Sequence, residues 1–95
     1  MAVQSIKENL TSTGNTDLST WNGRLGAFLV SGDFDGATVK LQHKVGSVYV
    51  DLGPDTTLTS DGGGQFITPQ NNLRVNVSGG SGSIDVDVVV KPLVI

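Results

Sequence analysis

From Gly32 to Lys91 the chain is a succession of short runs in which apolar and polar residues alternate. Ala37-Thr38-Val39-Lys40-Leu41-Gln42-His43 places an apolar residue at every second position. Leu73-Arg74-Val75-Asn76-Val77-Ser78 and Ile84-Asp85-Val86-Asp87-Val88 do the same. A period of two puts successive side chains on opposite faces of a strand, so these runs predict antiparallel strands with one face buried and one wet. Arg24–Ser31 is a more continuous apolar run, which predicts a strand buried on both faces or central in its sheet. Between the runs lie turn residues: Asn22-Gly23, Gly32–Gly36 with Phe34 at the apex, Lys44–Ser47, Gly53-Pro54-Asp55, Pro69-Gln70-Asn71 and Gly79–Gly82. Ser60–Gly64 reads as a flexible loop. Turn signals roughly every 8–12 residues predict an all-β protein. The expected fold is an antiparallel β-sandwich, immunoglobulin-like or jelly-roll-like, of about seven to eight short strands.

The two ends break this pattern. Residues 1–14 form a separate N-terminal arm ahead of a β-sandwich domain over 15–95. Val3, Ile6 and Leu10 are spaced three and four apart, so a short helix competes with an extended arm; the surrounding β-formers favour the arm. At the other end Leu93-Val94-Ile95 follows Pro92 as an apolar tail. Either tail has two readings: it docks on its own domain, or it reaches a neighbouring subunit by strand addition or swapping.

Composition narrows the class. Ninety-five residues make one domain, and only 37% of them are apolar, so the core is modest. With no cysteine there is no disulfide scaffold and no thiolate metal site. The start Met1-Ala2-Val3-Gln4-Ser5 has no basic region leading into an apolar stretch, and no window approaches the ~20 apolar residues of a membrane helix. A soluble, non-secreted protein without a membrane partner is therefore expected. The formal charge is −3, and the six bases are scattered, which argues against nucleic acid as a partner. Charged residues are only 16%, leaving a surface of Ser, Thr, Asn, Gln and Gly that costs little to desolvate against a protein partner.

Candidate chemistry is thin. His43 is the sole histidine and has no second His or Cys to complete a metal site or triad. Asp33 and Asp35 before Gly36 offer the start of a Ca²⁺ loop, although Asx-turn chemistry explains the same residues. Asp85 and Asp87 share an outward strand face, where a solvated pair or a guard against edge-to-edge pairing is expected. The glycine runs lead into strands, not helices, so they are not phosphate cradles. Tyr49 and Trp21 are the candidate stacking rings for a sugar. No catalytic residue and no cofactor is expected. The candidate partner contacts are Val3, Ile6, Leu10, Trp21, Tyr49, Leu93, Val94 and Ile95.

One stretch resembles a known group. Gly32-Asp33-Phe34-Asp35-Gly36-Ala37-Thr38-Val39-Lys40-Leu41-Gln42 is followed by Val48–Leu52, by Thr59-Ser60-Asp61-Gly62 with Phe66, and by Arg74–Gly79. This phrase is similar to one that recurs in small virion proteins of tailed bacteriophages, over residues 25–91. The resemblance implies a β-sandwich that decorates or cements a capsid, binding the assembled major capsid protein lattice. It further implies a virion location after assembly in the host bacterial cytoplasm, with other virion subunits as partners and a homo-oligomeric state. The alternative is an adhesion or glycan-binding module of a phage tail, neck or fibre.

Overall fold

The alternating runs become strands, and their apolar phases meet in one core. The structure is a computed structural model and describes residues 5–18, 21, 25–69 and 72–93. Nine strands are present among these residues: β1 (Ile6–Leu10), β2 (Gly14–Asp17), β3 (Leu25–Asp33), β4 (Ala37–Val45), β5 (Val48–Asp51), β6 (Thr57–Leu58), β7 (Gly62–Ile67), β8 (Leu73–Gly79) and β9 (Asp85–Pro92). A single 3₁₀ turn, Pro54–Thr56, is the only helical element described.

The strands form two antiparallel sheets. One has the order β1-β9-β3-β7; the other runs β2-β8-β4-β5, with β6 also on β4. The links β1–β2, β3–β4 and β8–β9 each cross from one sheet to the other, and β9 lies between β1 and β3 just as β8 lies between β2 and β4. That is the double Greek-key path of a jelly roll, which selects between the two sandwich types expected.

Within each strand the inward phase is apolar. Phe28 and Val30 of β3 and Val86, Val88 and Val90 of β9 face Val39 and Leu41 of β4 and Leu73, Val75 and Val77 of β8; all are buried. Leu18 and Trp21 close one end of this layer, and Phe34 with Ile84 closes the other. Each such side chain contributes about 1.5–3 kcal/mol by leaving water, before entropy is counted.

The N-terminal arm is extended where it is described, as favoured, and takes the first of its two readings: Ile6–Leu10 pairs with Val86–Val90, and Ile6 and Leu10 pack against the core. Asn9 secures this strand, its side-chain amide donating to Asp85 at 2.9 Å and Asp87 at 3.0 Å. Two other expectations need correction. A further strand, β2, forms from the wholly polar Gly14-Asn15-Thr16-Asp17 by pairing with β8, which brings the total above the expected seven or eight. Gly62-Gly63-Gly64 is not a flexible loop but the first half of β7. A Cβ on Gly63 would collide with the Leu29 side chain, and one on Gly64 with the Asp55 backbone, so the glycines are there to admit close neighbours.

The turns behave as read. Gly46 and Ser47 close the β4–β5 hairpin, with Gly46 at φ 63°. Asp35 sits at φ 50°, and its carboxylate accepts the backbone N–H groups of Ser81 at 2.9 Å and Ser83 at 2.7 Å, tying the β3–β4 turn to the β8–β9 loop. The Asn22-Gly23 and Gln70-Asn71 turns lie outside the described residues.

Candidate functional site

The outward faces of the two sheets differ in chemistry. On the first sheet, the outward phase of β3 is Leu25, Ala27 and Leu29. Leu25 stands opposite Ile67 of β7, and Leu29 opposite Val89 of β9. These residues form a continuous apolar column on the solvent side of the sheet. Its two most open members are Ile67, 77% exposed, and Leu29, 42% exposed. The Leu29 side chain lies over Gly63, which has no side chain to cover it. Polar residues border the column: Gln65 and Lys91 face Ala27 from either side. Next to Ile67, a shallow cleft runs between the Leu52–Thr56 connection and the residues Gln65 and Phe66 of edge strand β7, with Leu25 of β3 behind them.

On the second sheet the outward face carries a polar chain across three strands. Lys40 Nζ lies 3.3 Å from the Asp51 carboxylate. Gln42 Nε2 donates to the same carboxylate at 2.7 Å, and Gln42 Oε1 accepts from Arg74 Nε at 2.8 Å. The Arg74 guanidinium then lies 3.9 Å above the centre of the Tyr49 ring, a cation–π contact. Asp51 is held below the ordinary carboxylate pKa chiefly by the Gln42 hydrogen bond, with Lys40 adding to the effect and partial desolvation opposing it. Gln42 is nearly buried in the middle of this chain. The arrangement is a braced surface; its polar groups are engaged with one another.

The β4–β5 hairpin extends the inward phase of the second sheet past its cover. Val45 and Val48 are each 60% exposed and Val50 is 42% exposed, although all three lie on the phase that elsewhere points into the core. His43 is opposite Val50 at the base of this overhang.

The sequence-predicted residues distribute as follows. Ile6 and Leu10 are half-buried on the domain's own core, and the Leu93 N–H donates to the Leu25 carbonyl at 2.9 Å, so these parts of both tails dock on their own domain. Val3, Val94 and Ile95 lie outside the described residues. Trp21 is corrected from surface contact to core. It is fully buried, its ring centre 5.3 Å from that of Phe66 and tilted 51° to it, packed where Gly26 leaves room. Tyr49 is on the outward face as expected, but Arg74 covers one side of its ring. The structure therefore does not join Trp21 and Tyr49 into a stacking platform. Asp33 and Asp35 act as turn acceptors, Asp33 Oδ1 taking the Asp35 N–H at 3.1 Å. Among the described residues no group of three or more His, Cys, Asp or Glu side chains converges.

Sequence reading missed the apolar column. Its signal was present, as Leu25, Ala27 and Leu29 form the off-phase half of the continuous run; of the two readings of that run, β3 is central in its sheet and is not buried on both faces. Comparison of the chain with protein-family models, with curated proteins and with solved structures finds no match.

Proposed function

We propose that this protein is a structural subunit of a phage virion, a decoration or cement protein that binds the assembled major capsid protein lattice. The observation that carries this reading is the apolar column Leu25–Ala27–Leu29–Ile67–Val89 on the outer face of the first sheet. An outward sheet face is ordinarily polar, and a contiguous apolar strip rimmed by polar residues marks a surface made to be covered. The low charge of the chain and the resemblance of residues 25–91 to small phage virion proteins point the same way.

The mechanism is mass action. A subunit that binds only the assembled lattice lowers the free energy of that lattice by an amount set by its concentration relative to its dissociation constant. The apolar column supplies the buried centre of the contact, and the Gln65 and Lys91 rim sets its orientation. The test is to add the purified protein to capsids lacking it and follow their thermal disruption. A raised disruption temperature is expected with the wild-type chain and not with Ile67→Lys or Leu29→Lys, both folded as judged by circular dichroism. Failure of the wild-type protein to sediment with capsids or to shift their melting would overturn the proposal.

A further inference from the structure

The four outer edges of the two sheets are not equally protected. β1 carries Lys7, Glu8 and Asn9; β2 is Gly-Asn-Thr-Asp; β7 opens on three glycines and has the Pro54–Thr56 turn against it. Charge, weak strand formers and a covering segment are the devices that keep edges from pairing. β5 has no covering segment among the described residues, and its one charge, Asp51, is held toward β4 by Gln42 and Lys40. Its sequence is Val-Tyr-Val-Asp, its core-phase valines are exposed, and β6 pairs with β4 further along, at Val39 and Lys40, so that no other described strand pairs with the β5 edge.

Backbone geometry shows what this edge offers. Val45 and Val48 close a two-residue turn, so that rung exchanges both backbone hydrogen bonds and bonding alternates from there. The Leu52 N–H to Leu41 carbonyl bond at 3.2 Å has the same phase. The N–H and C=O groups of Tyr49 and Asp51 therefore point away from β4, outward along the sheet plane.

We infer that β5 pairs antiparallel with β5 of a second copy of this chain, about a two-fold axis through Val50. This register places Tyr49 opposite Asp51 of the second copy, so each outward N–H meets an outward C=O and none is wasted. It sets Val50 against Val50 and Val48 against Leu52, closing the exposed valines over one another. On the other face Asp51 of the second copy lands beside Tyr49, so no two like charges stand opposite each other across the seam. Other registers are worse. An axis at Asp51 puts two carboxylates face to face, an axis at Tyr49 draws the turn residue Ser47 into the ladder, and an axis between residues sets valine opposite carboxylate on mismatched faces. The contact is one strand wide, so it belongs with small, transient interfaces and is favoured where copies are concentrated. It goes beyond the virion reading and stands whether or not the protein sits on a capsid.

The absence of cysteine makes the test clean. Single-cysteine variants Val50→Cys, Val48→Cys and, on the distant β1 edge, Asn9→Cys are oxidised under mild conditions in the full chain, and the rate of covalent dimer formation is read. The two-fold register predicts that Val50→Cys links at least tenfold faster than either of the others. Adding Tyr49→Asp to Val50→Cys, which sets a carboxylate directly opposite Asp51 of the second copy, should bring the rate down to that of Asn9→Cys while the circular-dichroism spectrum stays that of the wild type. Equal rates for Val50→Cys and Asn9→Cys would overturn the pairing, and faster linkage of Val48→Cys would overturn the register.

Discussion

Gly26 is the position where one added methyl group should hurt most. It lies in β3, between β9 and β7 in the first sheet, and a Cβ there would sit 2.6 Å from Phe66 Cζ and 2.7 Å from the far edge of the Trp21 ring. Ordinary carbon contacts begin near 3.5 Å, so both rings would have to retreat by about 0.8 Å. They have no space to do so independently, since they pack on each other with centroids 5.3 Å apart and Trp21 is fully enclosed. The strand cannot retreat either, because Gly26 is paired on both sides, with Phe66 and with Pro92. Overpacking of this kind costs about 1–3 kcal/mol, and this site belongs at the upper end. Replacing glycine stiffens the unfolded chain and returns about 0.4–1 kcal/mol. The net expectation for Gly26→Ala is a loss of about 1.5–2.5 kcal/mol, or about 5–15 °C in Tm for a domain of this size. The control is Gly62→Ala on β7, where the new Cβ meets Leu58 at an ordinary 3.5 Å and no positive φ intervenes; its Tm should equal or exceed that of the wild type. Urea and thermal unfolding followed by circular dichroism measure both, and the emission of Trp21, the only tryptophan, reports the ring pair directly. A Gly26→Ala protein as stable as Gly62→Ala, with unchanged Trp21 emission, would refute the account of this end of the core.

Other consequences follow from the same geometry. Phe28→Ala, emptying a fully buried site in the central strand, should lower stability by about 3–5 kcal/mol in denaturant titrations. Asp35→Ala should cost about 1–3 kcal/mol, because two backbone N–H groups lose their carboxylate acceptor and alanine tolerates φ 50° poorly; Asp35→Asn should recover part of it. The Asp51 carboxylate has a lower pKa folded than unfolded, so its contribution to stability is present at neutral pH and disappears as pH falls through the folded value, below about pH 4. Unfolding midpoints of Asp51→Asn should therefore fall less between pH 7 and pH 2.5 than those of the wild type; equal acid sensitivity would count against the Gln42–Lys40 bracing of that carboxylate. Arg74→Ala should leave the fold intact and alter the Tyr49 near-ultraviolet dichroism, since the guanidinium packs on its ring.

Much of the fold was legible because burial in a sandwich is written locally. Val39 and Leu41, Val75 and Val77, and Val86 and Val88 alternate with polar partners, and each pair is buried as that alternation demands. β2 was not legible: Gly-Asn-Thr-Asp has no apolar phase and is a strand only because β8 offers it a free edge. Trp21 was misread for a related reason. Its neighbours are polar, and its burial is decided by Gly26 and Phe66, which are distant in sequence. The glycine run at 62–64 looked like a loop because the atoms that require its lack of side chains belong to Leu29 and Asp55. The apolar column was half visible, as Leu25, Ala27 and Leu29 were seen but not the face they would occupy.

What the sequence by itself determined is the strands of the alternating runs, the face each of those runs turns to the core, and the turns that end them. These depend on pleat periodicity and on the φ preferences of Gly, Asp and Asn, which act within a few residues. Only the tertiary structure decided which strands meet. The meeting of Ile6 with Val90 and of Ala37 with Gly79 makes this sandwich a jelly roll, and the order of the sheets leaves Leu29 and Ile67 outside and β5 at an open edge. Alternation tells a strand which side is apolar, but it says nothing of its neighbour. Pairing is settled by the closure of loops and the joint filling of one core, a property of the whole chain.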